Sequence, residues 1–385
     1  MGGRDAPEDE WVVQITASET SIQCSGTLVA PNLVLTARHC VASFAVGEFA
    51  CDPRLPPPQV MSPFWPARQL RVFAGPARVE EPRGATPDAV GAQIFAEPKP
   101  GFCQGDLALV LLDRPIAGVR RVPLRLTDTT RVGEPVFTSG WGVVDTFARR
   151  LPARQRRDDL TVLSVGPLSY EIVEGTPAIF TAPGQLIVGQ SSCSGDSGAP
   201  LMAAETGAVV AVFSTNVNAY PEKYTDDTLS EPYAYCGLGA AAVFHTLANR
   251  PFVLEAFAAS GHRPWLEGQP EPAAFGQACA GPDGCDSGLC VSGAGAPFCS
   301  AACDEAACPD GFECIRIDGR AVCGRGGAAL AGDGGGGCRA AAGGAPAGGL
   351  VAALGGLLAA AAGRRAGRRG ARAVSDRKAE AGRRS

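Results

Sequence analysis

The ten residues Ser191-Ser-Cys-Ser-Gly-Asp-Ser-Gly-Ala-Pro200 set Ser197 in a glycine-flanked loop, with Asp196 directly before it and Cys193 four residues back. A serine hydroxyl is a weak nucleophile unless a base takes its proton and donors meet the developing oxyanion. Gly195 and Gly198 permit a sharp turn, which would aim the N–H groups of Gly195 and Ser197 into one hole. A candidate base, one of three histidines in the chain, lies in Leu33-Val-Leu-Thr-Ala-Arg-His-Cys40, after an apolar strand-like run. Between the two lies Asp106-Leu-Ala-Leu-Val-Leu-Leu112, an aspartate opening a buried run. Its carboxylate can accept the imidazole N–H of His39 and fix the tautomer. The order His, Asp, Ser is one of three in which this constellation occurs.

Four blocks stand in order along the chain: Cys24-Ser-Gly-Thr-Leu28 with Leu35-Thr-Ala-Arg-His-Cys40, then Asp106-Leu-Ala-Leu109, Ser139-Gly-Trp-Gly142 and Cys193-Ser-Gly-Asp-Ser-Gly-Ala-Pro200. With them the chain resembles the chymotrypsin/trypsin-type serine endopeptidases over residues 2–267. The resemblance implies that His39 is the general base, Asp106 its orienting acid and Ser197 the nucleophile. It pairs Cys24 with Cys40, stapling the loop of His39, and Cys193 with Cys236, tying the nucleophile loop to a wall of the specificity pocket. Cys51 and Cys103 are left over in this region, and we read them as a third pair.

Short apolar runs at 12–15, 33–35, 107–112 and 209–213, separated by Pro, Gly and Asp, suit an all-β barrel or sandwich. The resemblance sharpens this to two six-stranded antiparallel β-barrels, with the active groups between them and a closing C-terminal helix at 254–259. The stretch from His39 to Asp106 is longer than the family's and carries Pro53-Arg-Leu-Pro-Pro-Pro58 and Pro63-Phe-Trp-Pro66, so an inserted surface loop near the cleft rim is expected. Arg38, in place of the usual small residue before the base, is expected to point to solvent.

The resemblance puts Ser191 at the base of the pocket for the residue preceding the scissile bond (P1). A neutral residue there cannot pair a buried guanidinium, so small or medium apolar P1 residues are expected. Ser214 and Asn216 fall in the segment that binds substrate backbone, and Ala242 on the opposite wall. The family is activated by cleavage that frees an ammonium to pair with the aspartate before the nucleophile, here Asp196. Met1 falls where the second apolar residue of that new terminus belongs, and no signal peptide precedes it. The expected reading is a frame that starts upstream, with an activating protease as partner.

Fifteen cysteines in 385 residues argue for an oxidising compartment. Eight of them, from Cys279 to Cys323, form a segment with few apolar residues. Such a segment is held by cross-links, whose connectivity spacing leaves open among 105 possibilities. Zinc is the competing reading, disfavoured by irregular spacing and few histidines. The organisation read from this is residues 1–267 as a protease-like domain, 268–275 a linker, 276–325 a cysteine-rich module acting as a stalk or, alternatively, a ligand-binding module. Residues 326–348 form a Gly/Ala-rich linker with the lone Cys338, 349–363 a weakly hydrophobic segment and 364–385 an arginine-rich tail. That tail holds eight Arg and one Lys against Asp376 and Glu380, a net +7, so the total of −5 leaves −12 on the remainder, which argues against nucleic acid.

An uncharged run at 340–363 before the arginines is long enough for a membrane span, with a cytoplasmic C-terminus; a disordered tail is the alternative. Gly337-Cys338, the weak span and the arginines resemble the C-terminal sorting signals of myxobacterial surface proteins, in which the cysteine marks the processing and anchoring point. That implies a sorting protease and a secreted or outer-surface location. No metal or organic cofactor is expected, and protein or peptide substrates are. A catalytically inactive surface-binding or adhesion protein on the same scaffold is the alternative.

Overall fold

Val, Ile, Leu and Thr dominate the runs that become strands, since their side chains suit a pleated surface buried on at least one face. The computed structural model describes residues 3–18, 22–43, 61–80, 82–96, 103, 105–144, 153–170, 179–218, 239–292, 295–303, 308–317 and 319–325. After a short β1 (Arg4–Asp5), strands β2 (Val12–Ala17), β3 (Gln23–Ala30), β4 (Leu33–Thr36), β5 (Leu70–Phe73), β6 (Ala89–Ala96) and β7 (Ala108–Leu112) close a barrel in the order β2-β3-β4-β7-β6-β5. Ile15, Leu28, Leu33, Leu70 and Leu109 fill it.

The second sheet comprises β8 (Pro135–Gly140), β9 (Gln155–Val165), β12 (Gln185–Gly189), β13 (Pro200–Ala203), β14 (Val209–Asn218) and β15 (Gly239–His245), with β1 added at the β9 edge. Its order is β1-β9-β12-β15-β14-β13-β8, and β8 also pairs with β9, so the ladder returns on itself. Two short strands, β10 (Leu168–Tyr170) and β11 (Ile179–Thr181), pair apart from it. Val136, Leu160, Val188, Leu201 and Phe213 form its core.

Helix α1 (Arg250–Ser260) begins with a proline in its first turn and ends on Gly261 in the left-handed conformation, φ 75°. It buries Phe252, Val253, Ala256 and Phe257 in the core of the first barrel, while Asn32 caps its end by donating to the Ser260 carbonyl at 3.2 Å. The helix thus follows the second sheet in sequence and closes the first barrel in space. Among the described residues no helix is long and apolar enough to cross a membrane; the segment 349–363 and Cys338 lie outside them.

The cysteine-rich segment is more ordered than its spacing suggests. Its bridges are Cys279–Cys290, Cys285–Cys299, Cys303–Cys314 and Cys308–Cys323. These are two successive sets of four, each joined first to third and second to fourth. Each set carries a hairpin in which its third and fourth cysteines stand opposite: β16 (Cys290–Val291) with β17 (Phe298–Cys299), and β18 (Phe312–Ile317) with β19 (Arg320–Arg325). An apolar cluster of Val291, Phe298, Ile317 and Val322, with Phe312 against it, was not expected from so polar a segment. The two three-cysteine groups close enough to hold a metal have their sulfurs committed to these bridges.

Asp286 of this segment fastens it to the preceding region. Its carboxylate receives Arg121 on Oδ1 and His262 Nδ1 on Oδ2 at 2.6 Å, and its carbonyl accepts Arg263 N–H at 2.6 Å. Burial tends to raise the Asp286 carboxyl, but His262 and Arg121 outweigh it and hold it below the usual carboxylate range. A carboxyl depressed in the folded state stabilises above its unfolded pKa and loses that contribution as pH falls through the acid range. Asp286→Asn is therefore expected to lower unfolding free energy by about 3 kcal/mol at pH 7. The gap to the parent should narrow progressively as pH falls below the unfolded carboxyl's pKa and through the lower folded one, measured by urea denaturation across pH.

Candidate active site

His39 sits in a single 3-10 turn, Arg38–Cys40, directly after β4, and the Cys24–Cys40 disulfide ties that turn to β3. Asp106 is fully buried two residues before β7, the strand paired with β4. Neighbouring strands therefore deliver the two groups. His39 donates its backbone N–H to Asp106 Oδ1 at 2.9 Å, and its ring Nδ1 lies 2.6 Å from Oδ2. Oδ2 also accepts the Ser214 hydroxyl at 2.6 Å. Burial works to raise the Asp106 carboxyl, yet the charge and hydrogen bonds of His39 and the Ser214 hydroxyl hold it below its ordinary value. An ionised carboxylate on Nδ1 keeps the proton on that nitrogen and leaves Nε2 as the basic atom of the neutral ring.

Ser214 reaches Asp106 because of a β-bulge. The β14–β15 register slips between Phe213 and Thr215, leaving Ser214 as the extra residue. The same strand holds the loop of Ser197, since the Phe213 carbonyl accepts the Gly198 N–H at 2.8 Å. On the other side Ser25 donates its N–H to the Ser197 carbonyl at 2.8 Å and its hydroxyl to the Gly195 carbonyl at 2.9 Å. Gly198 has φ +81°, and a Cβ on it would lie 2.2 Å from both the Ser25 carbonyl oxygen and Thr36 Oγ1. Ser197 is thereby seated against Ser25 and Thr36, the first next to Cys24 and the second three residues before His39. The Ser194 carbonyl accepts Val143 N–H at 3.0 Å, which turns the Gly195 N–H of that trans peptide the opposite way. Among the described residues, neither the Gly195 nor the Ser197 N–H donates a hydrogen bond.

Asp196 explains the second glycine-rich motif. Its carboxylate accepts Gly142 N–H on Oδ1 at 2.8 Å and Cys193 N–H on Oδ2 at 2.9 Å. A Cβ on Gly140 or Gly142 would lie 2.2 Å from one of its oxygens, so Ser139-Gly-Trp-Gly142 is the cradle for this side chain. Loss of hydration pushes the Asp196 carboxyl up, and the two amides, the N-terminal ammonium and the charge of Arg78 only partly offset this. A cavity of about 30 Å³ beside it is lined by Gly3, Gly140, Gly142, Ser191 and Arg156.

Ser191 is buried and donates to the Gly189 carbonyl at 2.9 Å. Strands β12, β15 and β14 lie side by side, with Ala242 between Ile187 and Thr215 and Asn216 beside Ala241, so the expected pocket segments are adjacent in the sheet. Cys193 and Cys103 are each disulfide-bonded; Cys236 and Cys51 lie outside the described residues.

Arg38 departs from expectation. It is 4% exposed, donates to the Met61 carbonyl at 3.3 Å and lies 4.8 Å from the Phe64 ring centroid. Apolar Met61 is buried, and Trp65 N–H bonds the Val41 carbonyl at 2.9 Å, so this end of the insertion packs onto the turn of His39. Its guanidinium has a carbonyl and an aromatic face there instead of water.

The family described as Trypsin matches residues 1–229, and the chain belongs to that family. Among curated proteins it is similar to Serine proteinase stubble of Drosophila melanogaster, 27% identical over 53% of this chain and 25% of that protein. It is also similar to Phenoloxidase-activating factor 3 of Holotrichia diomphalia, 27% identical over 55% of this chain and 62% of the relative. Serine protease 56 of Mus musculus is 30% identical over 54% of this chain and 32% of its own length. The matches thus cover from a quarter to just under two thirds of these relatives. A solved structure of a mutant of human heparin binding protein (CAP37) covers 71% of this chain and all of its own, at 19% identity and TM-score 0.45.

Gly198→Ala is expected to destabilise the fold by about 1–3 kcal/mol, because the added methyl has no space and φ +81° disfavours it. Chemical denaturation checks this, with Gly207→Ala (φ +67°, open space around its Cβ) separating the conformational from the steric part.

Proposed function

We propose that this chain is a serine endopeptidase that cleaves protein or peptide substrates through an acyl-enzyme on Ser197. The observation that carries the reading is the buried Asp106 carboxylate bonded at once to His39 Nδ1, His39 N–H and Ser214 Oγ, beside the seated loop of Ser197. In this mechanism neutral His39 takes the Ser197 proton at Nε2 as Oγ attacks the scissile carbonyl. The N–H groups of Gly195 and Ser197 meet the oxyanion, where such donors contribute most. His39 then protonates the leaving amine, and water repeats the sequence on the ester. Neutral Ser191 favours small or medium apolar P1 residues, with Ser214, Asn216 and Ala242 shaping the backbone site and pocket.

Gly3 at the cavity beside Asp196 supports activation by cleavage upstream, since a freed ammonium there would be drawn to that carboxylate. The disulfides support a secreted or surface location, and the C-terminal segment supports sorting or membrane attachment at Cys338.

Fluorophosphonate labelling of the exported protein tests the reading. The parent should be labelled at Ser197 and Ser197→Ala should not. Asp106→Asn should lower kcat on peptide substrates by on the order of 10⁴ by losing the tautomer. A folded, processed protein that takes no label overturns the protease reading and leaves the non-catalytic binding scaffold.

A further inference from the structure

Asp196 is a half-buried carboxylate whose direct partners are two amides, and among the described residues no cationic side chain makes an ion pair with it. A charge so placed needs a counter-charge to stay seated. Arg78 stands at the far end of one peptide unit. Its guanidinium donates to the Trp141 carbonyl oxygen, and the Gly142 N–H held by Asp196 belongs to the same peptide. A cation on the oxygen and an anion on the N–H polarise that peptide in the same sense, so each hydrogen bond strengthens the other.

Arg78 is built into this place. A second nitrogen donates to Gln23 Oε1, and the next residue is clamped by Gln14, whose amide gives a hydrogen bond to the Val79 carbonyl at 3.1 Å and takes one from Val79 N–H at 2.9 Å. Its Nε is buried with no acceptor among the described residues. Burial works against its charge, and the carboxylates whose fields support it are Asp196 and Glu80.

The chain's N-terminal ammonium also acts on Asp196, ahead of Arg78, and is the charge that blocking the N-terminus removes in the test below; the arginines next to the site are committed elsewhere. Arg156 pairs with Asp9 and Asp158, and Arg157 with Asp159. Arg154 stacks 4.8 Å from the Trp141 ring and donates to the carbonyls of Ala6, Pro7, Val12 and Gly75.

We propose that Arg78 is a positioning residue for the nucleophile loop: acting through the Trp141–Gly142 peptide, it supplies a fixed counter-charge that seats Asp196 and keeps Gly195 and Ser197 in donor geometry. The consequence for reactivity rests on the protease reading above; the electrostatic link does not. With Arg78 in place the loop is held before any new N-terminus is released, so the unprocessed chain retains labelling at Ser197.

The full chain, with its N-terminus blocked by an upstream tag, is compared as parent, Arg78→Met, Arg78→Lys, Asp196→Asn and Arg78→Met/Asp196→Asn, in fluorophosphonate labelling rate from pH 5 to 9 and in urea denaturation. Arg78→Met should slow labelling about 5- to 100-fold, the span of ordinary coupling energies. It should also move the acid limb to higher pH, because removing a positive charge raises a neighbouring carboxyl. Arg78→Lys should restore most of the rate, and the double variant should unfold at the same urea concentration as Asp196→Asn alone. Additive destabilisation of the two substitutions overturns the proposal. So does a parent that labels with Arg78→Met unchanged across pH. A blocked parent that takes no label but labels once its N-terminus is freed overturns the proposal, and non-additivity in a parent that takes no label even then supports the Arg78–Asp196 link and removes the protease reading instead.

Discussion

The seating of the Asp196 carboxylate is the constraint on which most of the site depends. Two stretches more than fifty residues apart, 139–142 and 193–198, are shaped around it. One supplies glycines with no Cβ to collide with the carboxylate, and the other turns back so that its own Cys193 N–H can reach it. Once the carboxylate is in place, the loop carrying Ser197 has little freedom. Asp196 N–H closes onto the Cys193 carbonyl at 2.9 Å and Ala199 N–H onto the Asp196 carbonyl at 2.8 Å. Ser25 and Phe213 then fix the loop from opposite sides, one from the first barrel and one from the second sheet. The Ser197 side chain is thereby placed by backbone geometry, without a hydrogen bond of its own being needed to hold the loop.

The two sheets share an apolar cluster, in which Phe137, Met202, Val209 and Val212 join the core of the first barrel, and they also meet through polar contacts. Arg154, fully buried, spends its donors on main-chain oxygens of the N-terminal segment, β2 and the turn after β5, while its face covers Trp141. Such contacts are directional and stabilise only at good geometry, whereas apolar burial tolerates small displacements. The apolar clusters, the shared one included, therefore supply stability, and the polar seam supplies registration. Ser214 belongs to that seam. Its bulge costs one regular ladder position and gains a hydrogen bond to the carboxylate that orients His39.

Much of this was legible in the sequence because the constraints are local in composition. Gly-Asp-Ser-Gly, Ser-Gly-Trp-Gly and the histidine before Cys40 are dictated by turns and close approaches that only particular residues satisfy. The strands at 12–17, 33–36 and 108–112 announce themselves through continuous β-branched and leucine runs. The contribution of Arg78 was not legible, because nothing near it marks a guanidinium that will meet a carbonyl 63 residues later. Arg38 was misjudged for a related reason. Charge alone suggests solvent, and only the fold shows Met61 and Phe64 covering it. In the cysteine-rich segment the regularity was present but divided wrongly. Taken as one string of eight the spacing looks irregular, whereas taken as two fours each set closes with eight residues between its last two cysteines.

That division bears on how the segment can act. Disulfides that stay within each set of four make each set a small rigid body, so the joint with the preceding region must be made by other means. It is made at Asp286, one residue after Cys285 and so held close to a bridge to Cys299. A carboxylate anchored this way has little freedom to follow Arg121 and His262, which it receives on separate oxygens. Arg263 adds its backbone N–H to the same residue and its side chain to Asp283 at 2.7 Å, so the contacts concentrate on one turn of the module. A few charged hydrogen bonds on a rigid body give an orientation that is defined while they hold. The module is then a fixed extension of the region that carries His39, Asp106 and Ser197.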